Sequence, residues 1–516
     1  MSNALPRLIL CPKLLTARLP ALPVDTLNEL FGPESLEVVR SLMRRSDVDN
    51  AVYVSSPSLW QASREWLTSP SPRNSRVYLR LLAYLVRMSS RATPFGQFAA
   101  IGKVNASATS TLSVSSEMKT FTRPDMEWLL AVVRGVEDDP TLRDELRYFT
   151  NQHVLQRGKR LFISDPEKFQ PSASSGTFSI KYTPISLKKT DGVEAVLEMT
   201  NGGAKYADIV RMLMLRFAAL EQSARSLLEQ LRSVGLVFSE LRPTMNSDPL
   251  THVLSRLPVS AGKLRDSLDL IADLMHSLDG ASVADRKTSS YIDTSSACAA
   301  LATTKQSVQV DMTCTFEGGL SDKVLLDVAD LAHYRLRSSS RVGLASYRNK
   351  FMQRYGGNTK VVPLLELVDE DFGIGVPENL EAEEKMDDSR ASTLLELAAS
   401  SIGERKRHVT LTRSQAEALL LPGPTQSEMP RALEVGFCVA AKSPEAIDRG
   451  DYLVMSAGLQ STLGVGKSVG RFASYLGEEF VSDLRAAALE ETSGCIAAEL
   501  VYSPASDRAI NVAIRP

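Results

Sequence analysis

"YLVRMSSRATPFGQFAAIG", residues 84 to 102, carries two arginines and no acid before a Thr-Pro-Phe-Gly turn drops into a small apolar run. Working back from it, residues 74 to 90 read as one helix. At 100° per residue, Tyr78, Leu79, Leu81, Leu82, Leu85, Val86 and Met88 fill one broad apolar face. Arg76, Arg80, Tyr84, Arg87 and Arg91 fall on the other face, within an arc of about 80° if the helix continues that far. Pro94 ends the helix and pushes Thr93 towards an extended conformation. No Asp or Glu occurs between Trp66 and Ser116, so the stripe has no local partner. A solvated helix face usually mixes charges at i,i+4. This one suits either a distant acidic surface or an anion such as phosphate or carboxylate, with Tyr84 placed to stack on a base.

The 516-residue chain is too long for one ordinary core, which predicts several lobes. A hydrophobic content of 43% and a charged content of 23% are those of a globular protein. A net charge of −2 excludes a generally basic nucleic-acid binder while leaving room for a local basic site. No run approaches a membrane span, and the N-terminal "LPRLILCPKLL" lacks a cleavage signal, so a cytoplasmic location is expected. Cys11, Cys298, Cys314, Cys438 and Cys495 are scattered without a C-x-x-C pair, which argues against a disulfide framework or a zinc site. His153, His252, His276, His333 and His408 are as dispersed, and each reads as a lone structural residue.

Further along, residues 177 to 200 alternate like strands, and "KYADIVRMLMLRF" and "LEQSARSLLEQLRSVGLVFSEL" read as two amphipathic helices, the second running into Gly235 and a short strand. Two strands, two helices and a strand make a winged-helix-like pattern, or else an ordinary α+β subdomain. "SVQVDMTCTF" (307–316) alternates as a strand, with Asp311 and Thr313 on one face and Val310, Met312 and Cys314 on the other. Helices are expected in "LSDKVLLDVADLAHYRL" and "YRNKFMQRYGG", then a buried strand in "KVVPLLEL", an exposed acidic connection over 378–395, and a strand-like end in "NVAIRP". "GVGKS" (464–468) is not a phosphate-binding loop, because Ser461 stands where the first glycine is needed; it reads as a Gly-rich turn presenting Lys467 and Arg471. Asp311 is a lone carboxylate in an apolar strand, open to a catalytic or a salt-bridge role.

The segment "RMSSRATPFGQFAAIG" resembles the R-x-x-x-R-x-T-P-F-G-x-F-A signature of the class I lanthipeptide (lantibiotic) dehydratases. Other blocks follow in the family's order: "LLTARLP", "TRPDMEWL", "VQVDMTCTFEGGLSDKV", "YRNKFMQRYGGNTKVVPLLELVDEDFGIGVP", "VGRF" and "NVAIRP". Ala100 departs from the glycine often found after "FA". The resemblance implies a mixed α+β, multi-lobed dehydratase N-terminal fold. It would have an N-terminal lobe over 1–150, a winged-helix-like leader-peptide module over 151–245 and the rest of the glutamylation portion over 246–516.

The implied chemistry is transfer of glutamate from glutamyl-tRNA to Ser or Thr of a ribosomal precursor peptide, the first step towards dehydroalanine or dehydrobutyrine. No cofactor or metal is implied, only glutamyl-tRNA as co-substrate. The implied partners are the peptide's leader, the tRNA, a separate elimination protein and a cyclase. Arg18, Arg87, Arg91, Thr93, Asp125 and Asp311 match family positions tied to glutamylation, as does Arg471. The expected roles are catalytic for Arg87, Arg91, Thr93, Asp311 and Arg18, and tRNA contacts for Arg76, Arg80, Tyr84, Asp125, Lys467 and Arg471. In the family, the glutamylation portion runs well beyond this length and an elimination domain follows. The resemblance therefore leaves three readings open: a glutamyl transferase, an ATP-using peptide aminoacyl-tRNA ligase, or a non-catalytic scaffold that binds the precursor.

Overall fold

In the computed structural model, residues 11–68, 75–163, 170–172, 179–181, 185–280, 283, 286–338, 345–356, 361–377, 388–420, 431–456, 461–496 and 507–513 are described. The chain divides into two units, and the larger is discontinuous, drawing on residues 12–106, 111–319 and 468–516.

The larger unit is organised around a four-stranded sheet: β1 (Thr16–Pro20), β2 (Ala99–Lys103), β3 (Ser113–Pro124) and β4 (Val308–Glu317), in spatial order β1-β2-β4-β3. Its helices include α1 (Arg76–Ser90), α2 (Met126–Asp138), α3 (Gly262–Gly280), α4 (Glu478–Glu491) and α5 (Asp507–Ala513). β4 is central, parallel to β2 and antiparallel to β3, with Asp311 opposite Phe121 and Thr313 opposite both Ile101 and Lys119. Arg18 on β1 faces Ile101. Side chains directly opposite share a face, so Arg18, Ile101, Phe121, Arg123, Asp311 and Thr313 belong to one side of the sheet. The expected alternation along β4 is present, yet Val308 and the run Val310–Cys314 are buried, because both faces of the sheet are covered.

One cover is α3, whose Asp279 accepts hydrogen bonds from Thr122 N (2.7 Å), Thr122 Oγ1 (2.7 Å) and Thr120 Oγ1 (2.9 Å). The other is the 3-10 turn Gly470–Leu476 with α4, where Val469, Phe472, Ala473 and Phe480 pack on Ile101. Gly102 marks a close approach between neighbouring strands, since a Cβ there would collide with the Cys314 carbonyl oxygen and the Phe316 ring.

α1 begins at Arg76, with the Ser75 hydroxyl accepting from Tyr78 N at 3.1 Å, and buries Tyr78, Leu81, Leu85, Met88 and Ser89. Leu79, expected on the apolar face, is 53% exposed, because it lies at the edge of the buried stripe. Further along the larger unit, Arg147–Thr150 pairs with Ala204–Lys205 on one side and Val237–Ser239 on the other. Helices Asp191–Thr200, Tyr206–Phe217 and Glu221–Ser233 pack against a core containing Tyr148 and Tyr206. Asp191–Thr200 is helical in addition to the two helices expected. The Thr190 hydroxyl caps the first at Val193 N, and Val193, Val196 and Thr200 bury at helical spacing where strand alternation was expected.

The smaller unit contains Asp322–Ser338 and Ala345–Tyr355 as helices, as the sequence predicts. Among the described residues of "KVVPLLEL" (361–367) the expected strand is absent: Val361 is 94% exposed, and Leu364–Leu367 is a helical turn built on the Pro363 carbonyl, which accepts from Glu366 N and Leu367 N. Residues 378–387 of the acidic connection lie outside the described residues, and Asp388–Gly403 is helix. At the chain's end, Asn511–Ala513 close α5 instead of forming a strand, and residues 514–516 are outside the described set.

Candidate functional site

Two groups of expected residues gather in the larger unit, and Lys467 belongs to neither, being an exposed turn residue assigned to the smaller unit. The turn at Gly464–Gly466 has positive φ at both glycines; the strand directly before it is Ser461–Leu463, paired with Leu433–Val435, while Tyr452–Met455 pairs with Cys438–Ala441. Among the described residues, a 3-10 turn, Gly470–Leu476, follows where a phosphate-binding loop needs an α-helix.

The first group centres on Asp311, 2% exposed on the sheet face beneath the 470–476 turn. Arg471 Nη2 lies 3.5 Å from its Oδ1 and Arg123 Nη2 3.8 Å from its Oδ2, near enough to hold charge but beyond a good hydrogen bond. Asp311 Oδ1 is buried and accepts no hydrogen bond among the described residues. Arg471 was expected on a presented turn. Instead it is buried to 15% side-chain exposure, with its guanidinium 4.3 Å over the Phe472 ring. Burial pulls that guanidinium below its ordinary pKa, Asp311 opposes the shift, and Arg123 adds to it. Tyr475 stacks on Phe121, centroids 4.1 Å apart, and burial raises its phenol. Arg18 reaches across from β1 to donate to the Ser468 carbonyl at 2.7 Å, three residues before Arg471.

Arg123 is anchored from behind, donating to the Asn511 carbonyl and to Asn511 Oδ1 (3.3 Å). The same Asn511 accepts from Met126 N at 3.0 Å and donates to Asp125 Oδ2 at 2.9 Å. Asp125, expected to touch tRNA, is fully buried and caps α2 through Glu127 N, a position that leaves it no face towards RNA. Sequence reading passed over Arg123 and Asn511. The former's only signal was its place two residues before Asp125, and the latter's was a helix read as strand.

The second group lies along α1 and the turn after it. Arg87 stacks over Phe95 at 4.8 Å; burial lowers its pKa, and the charge of Arg91 lowers it further. Arg91 is the helix C-cap in an extended conformation, exposed like Thr93. Among the described residues, none of Arg76, Arg80, Arg87 and Arg91 makes an ion pair. Upstream, Arg76 and Arg80 line an open groove with Ser56, Ser58 and Tyr84. Tyr84 is half-buried, its ring edge-on to Phe98 at 5.3 Å, so it serves packing as well as the groove. The turn leads directly into β2, which pairs with the strand carrying Asp311. No group of acids, histidines and cysteines able to hold a metal occurs among the described residues, and no described helix is long and apolar enough to cross a membrane.

This mixed helix-and-sheet fold agrees with what known proteins show. The chain belongs to the lantibiotic dehydratase family: the family model described as "Lantibiotic dehydratase, N terminus" matches residues 44–516. It is 22% identical over 373 residues to the epidermin biosynthesis protein EpiB of Staphylococcus epidermidis, covering 70% of this chain and 36% of that protein. It is 24% identical to the subtilin biosynthesis protein SpaB of Bacillus subtilis, covering 70% of this chain and 35% of that one. The fold resembles that of the tRNA-dependent lantibiotic dehydratase MibB from Microbispora sp. 107891, with a TM-score of 0.73 and 23% identity over 91% of this chain and 46% of that one. The chain thus spans about a third of the curated relatives' length.

Proposed function

We propose that this chain transfers glutamate from glutamyl-tRNA to serine or threonine side chains of a ribosomally made precursor peptide. The observation that carries this is the Arg76–Arg80–Arg87–Arg91 stripe in a family member, without an ion pair among the described residues and exposed at Arg76, Arg80 and Arg91. Four cations without local acids are a dock for a polyanion, and the 3′ end of a charged tRNA brings phosphates there. Asp311 and Arg471 complement the other end of the substrate. A glutamyl group carries an ammonium and a carboxylate. The open Asp311 Oδ1 takes the first, and Arg471, which makes no hydrogen bond among the described residues, takes the second.

The reaction is ester exchange. The peptide hydroxyl oxygen attacks the glutamyl carbonyl, its proton passes to the departing ribose oxygen, and the glutamyl ester on the peptide replaces that on tRNA. The bond order is unchanged, so holding both reactants in register supplies much of the rate. Arg87, Arg91 and Thr93 grip the terminal nucleotide. Arg18 acts through Ser468, fixing the turn that carries Arg471. Asp125 acts through Asn511, fixing Arg123. The leader of the precursor adds as a strand to a sheet edge of the 151–245 module.

The test is mass spectrometry of a precursor peptide incubated with this chain and glutamyl-tRNA. A glutamyl adduct on Ser or Thr without ATP is expected. An adduct that requires ATP and sits on the peptide C-terminus would replace this reading with a ligase. Leader binding without any adduct would leave a recognition scaffold.

A further inference from the structure

The Thr-Pro-Phe-Gly turn is rigid everywhere except where it is bare. Pro94, Gly96, Gln97 and Phe98 are buried, whereas Phe95 between them is 41% exposed. The backbone closes through Phe98 N to Phe95 O at 3.0 Å. Gly96 sits at φ +54, and a Cβ there would press on Ser55 Oγ at 3.3 Å, so only glycine lets the turn lie this close to the helix end. Below, Gln97 donates to the Tyr291 hydroxyl, which also accepts from Arg286 Nη1 at 2.9 Å. A turn fixed this firmly would ordinarily tuck its one large apolar side chain inside. Here the ring stands out, braced by Phe98 at 5.7 Å and by the Arg87 guanidinium at 4.8 Å.

We infer that Phe95 is a stacking platform for a nucleobase, the terminal adenine of the tRNA. This rests on the glutamyl-tRNA reading and deepens it. The neighbourhood favours a nucleotide over other flat ligands. Arg87 beside the ring and exposed Arg91 four residues earlier offer charge to a phosphate, and no acid occurs between Trp66 and Ser116 to attract a basic ligand. A nucleotide carries a flat base and a phosphate together and satisfies both. An aromatic ring accepts any base by its π-face, and a preset turn spares the ordering cost of bringing it into place.

The test compares binding of deacylated glutamate tRNA, intact or lacking its 3′-terminal adenosine, to the 516-residue chain and to Phe95→Leu and Phe95→Trp. The wild-type chain is expected to prefer the intact tRNA about tenfold, Phe95→Leu to lose most of that preference while binding the shortened tRNA as before, and Phe95→Trp to keep it. Because the ring is exposed, both variants should melt as the wild type does. Unchanged discrimination in Phe95→Leu would overturn the inference, as would an equal loss for both tRNAs or a loss in Phe95→Trp as large as in Phe95→Leu. A fall in precursor-peptide affinity with discrimination intact would assign the ring to the peptide and overturn it too. A wild-type chain that binds neither tRNA would sink the tRNA reading itself, before any variant is made.

Discussion

Asp311 keeps a charge inside the larger unit beside two guanidinium groups that stop short of hydrogen-bonding distance. Such an arrangement costs desolvation without recovering it in full, which fits a group waiting for a ligand better than one holding the fold together. Asp311→Asn keeps the shape and removes the charge. Transfer should fall below about 1% of wild type, as expected when an oriented electrostatic contact to the reacting group is lost. Stability should change by only about 1–3 kcal/mol, because the lost ion pairs are long. A mass-spectrometric rate assay beside a thermal melt checks both, and an active Asp311→Asn protein would remove this residue from the site. A different residue sets a pH dependence. His252 is buried with Nε2 3.0 Å from the Glu240 carbonyl, and burial, its largest influence, pulls its pKa below the ordinary 6.5. The unfolded chain therefore takes up a proton below about pH 6.5 that the folded chain resists. Its contribution to stability is present above that pH and lost as the pH falls through the depressed value. The melting temperature should drop between pH 7.5 and 5.5, and drop less in His252→Gln; equal slopes would show that His252 is not the source.

At the scale of elements, the arginine helix and the strand carrying Asp311 were legible because each has one dominant period. Apolar residues recur at 3.6 along 74–90 and at 2 along 307–316. The misreadings fell where a local signal had two meanings. "GVEAVLEM" alternates well enough to pass for a strand, and only the Thr190 cap tips it to helix. "VVPLLEL" looks like a buried strand until Pro363 starts a helical turn. The exposed stripe yields a clean separation of function from stability. Arg87→Ala and Arg91→Ala should each abolish transfer; Arg91→Ala should move stability by no more than about 0.5 kcal/mol, as for a surface change, and Arg87→Ala by about 0.5–1 kcal/mol, since it loses the stack on Phe95. Either variant transferring at the wild-type rate would count against the stripe as the tRNA dock. Gly102→Ala should behave in the opposite manner. Its Cβ would meet a backbone carbonyl oxygen that cannot rotate away, prying β2 from β4. The expected loss is about 2–4 kcal/mol of stability, with activity falling only as the sheet opens. A melt within a degree of wild type would show that the two strands can separate freely.

Across the whole molecule, the site is assembled from segments that no window of sequence connects. Arg123 and Asp125 come from the first quarter of the chain, Asp311 from past its middle, and Arg471 and Asn511 from the last tenth. Which residues belong together was legible only through the family resemblance. Periodicity placed Asp311 on a strand face, but nothing local could bring Arg471 over it or Asn511 behind Arg123. Asn511 is the clearest case, since one amide bridges Arg123, Asp125 and the Met126 N–H from a helix more than 380 residues later. Asn511→Ala strips Asp125 and the Met126 N–H of that partner inside a buried region, where each loss costs about 1–3 kcal/mol, and leaves Arg123 only its bond to the main-chain carbonyl of residue 511. The melting temperature should fall by several degrees, and transfer should fall with it because Arg123 loses one of its two contacts to residue 511. Asn511→Asp should be worse, setting a second carboxylate against Asp125 where an amide N–H now donates at 2.9 Å. The order wild type, then alanine, then aspartate in thermal melts is the signature of a clamp through that amide. If alanine and aspartate melted alike and close to wild type, α5 would be held by its apolar contacts alone, and the link from Asp125 through Asn511 to Arg123 would carry no weight.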